Sequence, residues 1–333
     1  MIARHGLLLP ARAKLNLVLR IVGRRPDGYH LLHTLFHAIE LHDELWLARS
    51  DGGITLLVTA DEPQLAVPPD GDNLVVRALA RLSDAVGGNP GFTAQLHKRI
   101  PHGAGLGGGS SDAAAALRLG NALLGSPLAM PALVRLASGL GADVPFFLGA
   151  HSQWGHGVGD ELEPANVTPQ HFVLLVPPYG CATAEVYKNH AAHWKSGAPQ
   201  DRVTSVTGPN TRDSAVHTGF CNDLEAAALR VRPELADLRR RIVALGQPEV
   251  RMTGSGSTLF LPWPDAASAA RCAEQLAVLT QVGVRILTTR SAGPAIDAPL
   301  PCSRSAAGHG GTGDGGADPG GAAGGARPGG AGP

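Results

Sequence analysis

The stretch PHGAGLGGGSSDAAAA, Pro101 to Ala116, carries five glycines and two serines into a run of alanines. Glycine lets backbone N–H groups converge on a ligand without side-chain obstruction, and a helix beginning directly after adds the positive end of its dipole. Together these make an anion site, most often for phosphate. Gly103, Gly105 and Gly108 satisfy the G-x-G-x-x-G spacing of dinucleotide folds, but that fingerprint wants an acidic residue about 20 positions on. Residues Ala122 to Ala142 contain none. A Walker loop ends in Gly-Lys-Ser/Thr, whereas here Ser110, Ser111 and Asp112 follow the last glycine. A phosphate loop lacking its own lysine needs a cation from elsewhere in the chain.

The elements that must position this loop are readable as patterns. Arg12, Lys14, Asn16 and Val18 alternate with Ala13, Leu15, Leu17 and Leu19, the two-residue period of a half-buried strand with Lys14 and Asn16 on one face. ITLLVT (54–59) reads as a strand. A helical pattern follows from Asn73 with Leu74, Ala78 and Leu82 on one face and Asp72 as N-cap. GFTAQLHKRI reads as the strand that delivers the chain into the glycine run, and 112–124 as the helix leaving it. A further helix over 130–140 closes at Gly139 or Gly141. Periodicity fades between 155 and 169, so a domain boundary is placed near 160. Beyond it, HFVLLVPP opens a strand and a helix lies within 183–193. A polar loop over 196–214, a helix from Asn222, a strand ending at LFLPW, a helix over 266–279 and the strand VGVRILTT follow. The expectation is an α+β protein with mixed sheets packed with helices: a first domain over 1–160, a second over 161–300, and a Gly/Ala/Pro-rich tail over 301–333 too poor in apolar residues to order itself.

Composition excludes several classes. The chain has 333 residues, 44% of them hydrophobic, with Lys+Arg and Asp+Glu both at 28. No field of one sign draws in nucleic acid or an anionic membrane. No apolar run approaches the roughly 18 residues of a membrane span, and Pro10 interrupts the start before a signal-peptide core develops; a cytoplasmic location is expected. Cys181, Cys221, Cys272 and Cys302 include no CxxC pair, which argues against a zinc knuckle or a disulfide framework.

The run Pro-x-x-x-Gly-Leu-Gly-Gly-Gly-Ser-Ser before a small-residue helix resembles the phosphate loop of the GHMP kinase superfamily. AKLNLVLRIVGRRPDGYHLLHTLFHAIELHDEL, DNLVVRAL, GADVPFFL, NDLE and RMTGSGSTLF occur in the order and spacing of the branch that acts on a cytidine diphosphate-linked methylerythritol. The resemblance covers about 10–290, not the tail or the loop at 196–214. It implies the two-domain GHMP-kinase fold with its active-site cleft between the domains, and a soluble monomer or homodimer that uses ATP and Mg2+ on a small-molecule alcohol. A homoserine or mevalonate type of kinase, or a non-catalytic binding protein on the same scaffold, are the alternatives.

Carried onto this sequence, the resemblance makes Pro101, His102, Gly103, Ala104, Gly105, Leu106, Gly107, Gly108, Gly109, Ser110 and Ser111 the triphosphate cradle, with Asn73, Leu74 and Lys98 at the adenine. It makes Lys14 the missing cation and Asp143 in GADVPFF the acceptor of the hydroxyl proton. On the residues alone, Asp143 reads first as an N-cap before Pro145. Beside Lys14 it would stay a carboxylate able to orient the hydroxyl and take its proton late in the reaction. Substrate selection is expected in GRRPDGYHLLHTLF. Tyr29 would stack on the cytosine, His30 bond its polar edge, Phe36 or Tyr187 form the second stacking face, and Asn16 hold the sugar-alcohol or diphosphate end. Thr183 and the loop Gly254–Gly256 would close the cleft. Ala182 stands where the branch carries a serine, and no residue is assigned to the metal beyond the hydroxyls of Ser110 and Ser111.

Overall fold

The structure, a computed structural model, describes residues 3–193, 219–293 and 297–305. The polar loop at 196–214 and the tail beyond 305 lie outside the described residues. The chain starts with one long strand, β1 (Ala3–Arg24), paired antiparallel to β2 (His30–Ser50). β2 pairs with β4 (Gly91–Lys98), and β4 runs parallel to β3 (Ile54–Ala60). Between β3 and β4 lies α1 (Leu74–Val86), which buries Val75, Ala78, Leu79 and Leu82. Its cap is Asn73, whose side-chain oxygen accepts the Val75 N–H at 3.0 Å, and not Asp72 as the sequence suggested. An Asx oxygen reaches the second N–H of the helix only from the residue immediately outside it.

α2 (Gly108–Leu123) follows β4 and packs on α1 and on β1. It starts four positions before the expected Asp112, because the Ser111 N–H already bonds the Gly107 carbonyl at 2.9 Å. The last glycines are therefore the first helical turn, whose own N–H groups are free to face a ligand. Buried alanines 113–116 let the helix lie close to the sheet. α3 (Met130–Ser138) ends at Gly139 as expected, and a 3-10 turn (Pro145–Leu148) follows.

β5 (Ser152–His156) pairs with β2, and β6 (Glu161–Pro164) pairs with β5. The first sheet thus extends through Pro164, past the boundary expected at 160. A second antiparallel sheet is ordered β11 (Arg285–Arg290), β7 (His171–Val176), β10 (Leu259–Trp263), β9 (Arg251–Met252). It is covered by α4 (Thr183–His193), α5 (Glu225–Val231), α6 (Pro233–Ala244) and α7 (Ala266–Leu276). Short β8 (Cys221–Asn222) runs parallel to β1.

Two further expectations are corrected. β1 is not half-buried: Lys14, Asn16 and Val18 on its polar-looking face are as buried as Leu15 and Leu17, because the glycine loop covers that face through the bond from Lys14 N–H to the Leu106 carbonyl at 2.9 Å. The tail does not begin at 301. β12 (Leu300–Ser305) pairs with Ala3 to Leu8 at the edge of the first sheet, and the Cys302 carbonyl accepts the indole N–H of buried Trp46 at 3.1 Å. Composition hid this strand, since an edge strand needs main-chain partners more than apolar side chains.

Candidate active site

The glycine loop turns by left-handed residues. Gly103, Gly105 and Gly107 have φ of 66°, 78° and 74°, a region that side-chain-bearing residues enter only at a cost. Two of them also sit in close quarters. A Cβ on Gly105 would stand 2.7 Å from the Thr253 carbonyl oxygen, and one on Gly107 would stand 3.0 Å from Lys14 Cγ. The loop after β9, Thr253 to Thr258, is thus laid directly against the glycine loop, and Thr258 N–H bonds the Ala104 carbonyl at 3.3 Å. Within this loop Ser255 exchanges a 2.8 Å hydroxyl bond with Thr183 at the start of α4, which ties the loop to that helix. Ala182, whose carbonyl accepts the Val186 N–H, stands at the cap of α4 without a side-chain oxygen to offer.

A cavity of about 530 Å³ lies in front of the loop. It is lined by Pro101 to Ser110 and by Asn73, Leu74 and Lys98, so eleven of the residues expected at the nucleotide, Pro101–Leu106 with Gly107–Gly109, Ser110 and Leu74, border one space together with Asn73 and Lys98. Ser111 does not face it. Ser111 is buried and borders a small cavity on the other side of α2. The side chain of Asn73 is occupied in capping α1 and in donating to the Pro68 carbonyl. Lys98 turns its ammonium inward to Asp43 and, at 2.7 Å, to Asp112.

Sequence reasoning missed this second feature. Asp43 also accepts the N–H groups of Arg99 and Ile100, at 2.5 and 2.8 Å, where the strand enters the glycine run. Asp112 is pushed up to about 7, chiefly by burial and also by Asp43, against the attraction of Lys98. Burial works against the Lys98 charge, yet Asp112 and Asp43 hold its pKa above the ordinary lysine value. A buried ammonium between two carboxylates ties β4, β2 and the N-terminal half of α2 together. The only sequence signal was an aspartate amid small residues directly after the serines.

Lys14 and Asp143 meet. The Lys14 ammonium lies 3.5 Å from the Asp143 carboxylate, 2.6 Å from Asn16 Oδ1 and 5.7 Å above the Phe36 ring. Asn16 donates in turn to Thr34 at 2.8 Å, and Thr34 to the Val18 carbonyl. This chain of bonds spends the Asn16 side chain on orienting Lys14. Asp143 caps no helix, since the 3-10 turn starting at Pro145 receives no side-chain cap bond; its carboxylate is partly open to the cleft.

A second cavity of about 840 Å³ opens on the other side of this pair, lined by Tyr29, His30, Thr183 and Tyr187 with Arg24, Ala142 and Lys188. The His30 and Tyr187 rings lie 5.1 Å apart at 37°. Burial, with His190 and Arg24 nearby, pulls the His30 imidazole below its ordinary range. Its Nε2 is buried and has no hydrogen-bond partner among the described residues. Burial, then the Asp143 charge, push the Tyr187 phenol up. Tyr29 stands at the rim, 65% exposed. Phe36 is not a stacking face. It is 2% exposed and packed on Phe146 beneath Lys14, because the strand carrying it is covered on that side by the 3-10 turn.

With this geometry in hand, comparison with known proteins is informative. The profile described as GHMP kinases N terminal domain matches residues 73–150. A Bordetella bronchiseptica 4-diphosphocytidyl-2-C-methyl-D-erythritol kinase is 39% identical over 82% of this chain and 88% of its own length. The protein of that name from Pelotomaculum thermopropionicum is 37% identical over 85% and 97%. The chain belongs to the 4-diphosphocytidyl-2-C-methyl-D-erythritol kinase family. A crystal structure of a 4-(cytidine 5'-diphospho)-2C-methyl-D-erythritol kinase matches with a TM-score of 0.68 at 35% identity, over 86% of this chain and 99% of that one. A homoserine kinase from Cytophaga hutchinsonii shares the fold at a TM-score of 0.67 but only 16% identity, over 91% and 98%. The architecture is thus common to kinases of several alcohols, and the small-molecule kinase assignment rests on the nearer relatives. Among the described residues no helix is long and apolar enough to cross a membrane.

Proposed function

We infer that the chain transfers the γ-phosphoryl group of ATP to the 2-hydroxyl of 4-diphosphocytidyl-2-C-methyl-D-erythritol, a step of the non-mevalonate route to isoprenoid precursors, acting in the cytoplasm as a monomer or homodimer. The observation that carries this reading is the position of the Lys14–Asp143 pair. Lys14 packs against Gly107 of the phosphate loop, while Asp143 adjoins Ala142 and Tyr187 of the aromatic cavity. A donor phosphate and an acceptor hydroxyl brought from the two sides would meet at this pair. Phosphoryl transfer asks mainly for positioning and charge neutralisation. The glycine-loop N–H groups and the α2 N-terminus hold the triphosphate, and Lys14, oriented by Asn16, faces the charge that spreads over the transferred group. Asp143 orients the hydroxyl and receives its proton.

In the aromatic cavity the His30 imidazole suits the polar edge of a cytosine, with Tyr187 and Tyr29 as apolar faces. Arg24 and Lys188 supply positive charge at the same wall. The described residues gather no three His, Cys, Asp or Glu side chains for a metal. The site fits a magnesium ion held by the Ser110 hydroxyl, phosphate oxygens and water, a cation that usually keeps several waters. Bound there, magnesium would offset triphosphate charge.

The reading is tested by ATP consumption with the cytidyl substrate, homoserine and mevalonate offered separately. Turnover confined to the cytidyl substrate is expected. Turnover with homoserine or mevalonate alone would assign another member of the fold, and none with any of them would leave a binding protein.

A further inference from the structure

Behind α2, on the side away from the nucleotide cavity, three basic side chains converge on one residue, Asp297: two on its carboxylate and one on its main-chain carbonyl. Arg12 of β1 grips Asp297 with two hydrogen bonds, at 2.5 and 2.8 Å. Arg118 of α2 donates to the Asp297 main-chain carbonyl. His151, in the turn before β5, lies 3.8 Å from the Asp297 carboxylate. Arg118 has no carboxylate within ion-pair distance among the described residues, and the neighbouring Glu40 is taken by Arg290 at 2.9 Å. Two guanidiniums and an imidazole thus share one acid, an excess of positive charge in a partly desolvated place. Burial lowers the pKa of Arg118. Burial also opposes the ionised Asp297, but Arg12, His151 and Arg118 outweigh it and hold its pKa below the ordinary aspartate range.

The place matters because of what its walls carry. Arg12 stands two residues before Lys14 on β1. Ser111, Ala115 and Arg118 follow one face of α2 at helical spacing. All of these except Lys14 border the same small cavity of about 20 Å³, together with Phe147 and Asp297. The Phe147 ring and the Lys14 stem are in turn the two groups nearest a Cβ placed on Gly107.

We propose that Asp297 is a positioning residue: it latches the C-terminal arm into an anion site formed by Arg12, Arg118 and His151, and so fixes the strand bearing Lys14 against the helix bearing the phosphate loop. The inference rests on the roles given above to Lys14 and that loop. With Asp297 shortened, the site retains its excess charge and gains room for a small carboxylate such as formate, supplied from solution.

The test uses the full chain with Asp297→Asn, Asp297→Glu and Asp297→Gly, compared by kcat and by KM for ATP and the cytidyl substrate, at a temperature where each variant gives the wild-type circular dichroism. The Asn and Gly variants should lose about tenfold in kcat, one decade of rate for the loss of one orienting contact, with KM for the cytidyl substrate unchanged. The Glu variant should retain most activity. Formate should restore the Gly variant, and chloride at equal ionic strength should not. Wild-type kcat in both Asn and Gly variants, or a loss that neither glutamate nor formate repairs, would overturn the latch. Lys14→Ala in the same assay separates the two levels: full turnover there would sink the catalytic assignment, whereas full turnover only in the Asp297 variants sinks this inference alone.

Discussion

Replacing Asp143 by asparagine separates catalysis from stability. The side chain keeps its size and loses its charge and its capacity to accept a proton. At the 3.5 Å separation from Lys14, an effective dielectric of about 20 gives an attraction of about 5 kcal/mol before solvent is considered. The Asp143 side chain is 36% exposed, so screening brings the net contribution down to the range of surface pairs, about 1 kcal/mol or less. A shift in melting temperature of at most about 2–4 °C is expected for a chain of this size. The rate should respond on another scale, because losing a positioned proton acceptor costs about 10²–10⁴ in turnover, or roughly 3–5 kcal/mol of activation free energy. Nucleotide affinity should hold, since the phosphate loop is untouched. ATP consumption with the cytidyl substrate, calorimetric ATP binding and thermal unfolding measure the three quantities. Turnover within about tenfold of wild type, in a variant that binds ATP normally, would refute the role given to Asp143.

Other consequences follow from the same contacts. His37 is buried between Ser152 at 2.8 Å and Ser291 at 2.7 Å, and burial, with the nearby His151, pushes its pKa down to about 4. The unfolded ring takes up a proton near its usual value of about 6.5 while the folded one stays neutral. The associated stability is therefore present above that value and is lost as pH falls towards 4, by up to about 3 kcal/mol. Urea unfolding across this window should show the slope, and an unchanged slope in His37→Gln would contradict it. Gly103→Ala and Gly105→Ala share a left-handed φ, worth about 1–2 kcal/mol, but differ in surroundings. Nothing lies within 4 Å of the first Cβ, whereas the second meets the Thr253 and Gly256 carbonyls; Gly105→Ala should show the larger loss in unfolding free energy, and equal losses would count against the packing of the two loops. Ending the chain after Ser305 should leave turnover and melting temperature unchanged. Ending it after Pro299 should lower the melting temperature by about 2–4 °C for each kcal/mol lost, because Trp46 loses its acceptor and β1 its edge partner; equal melting temperatures would show β12 to be dispensable.

Local chemistry was the part legible in the sequence. The glycines of 103–109 announced a bare loop that turns through left-handed residues into a helix N-terminus, because backbone exposure is a property of the residues themselves, and the absent Walker lysine pointed to a cation from elsewhere in the chain. Alternation along 12–19 put Lys14 and Asn16 on one face of a strand. The helix start at Gly108, the Asn73 cap and β12 were misjudged or unseen, each depending on a main-chain hydrogen bond that residue type records poorly. Only tertiary structure decided how distant groups pair. It placed Asp143 beside Lys14, buried Phe36 beneath that lysine and gave Lys98 to Asp43 and Asp112. It also brought Asp297 to Arg12, Arg118 and His151. The physical reason is that a side chain's role follows from the charge and space around it, which are set by residues remote in the chain, whereas a turn or a helix end is set by its neighbours in sequence.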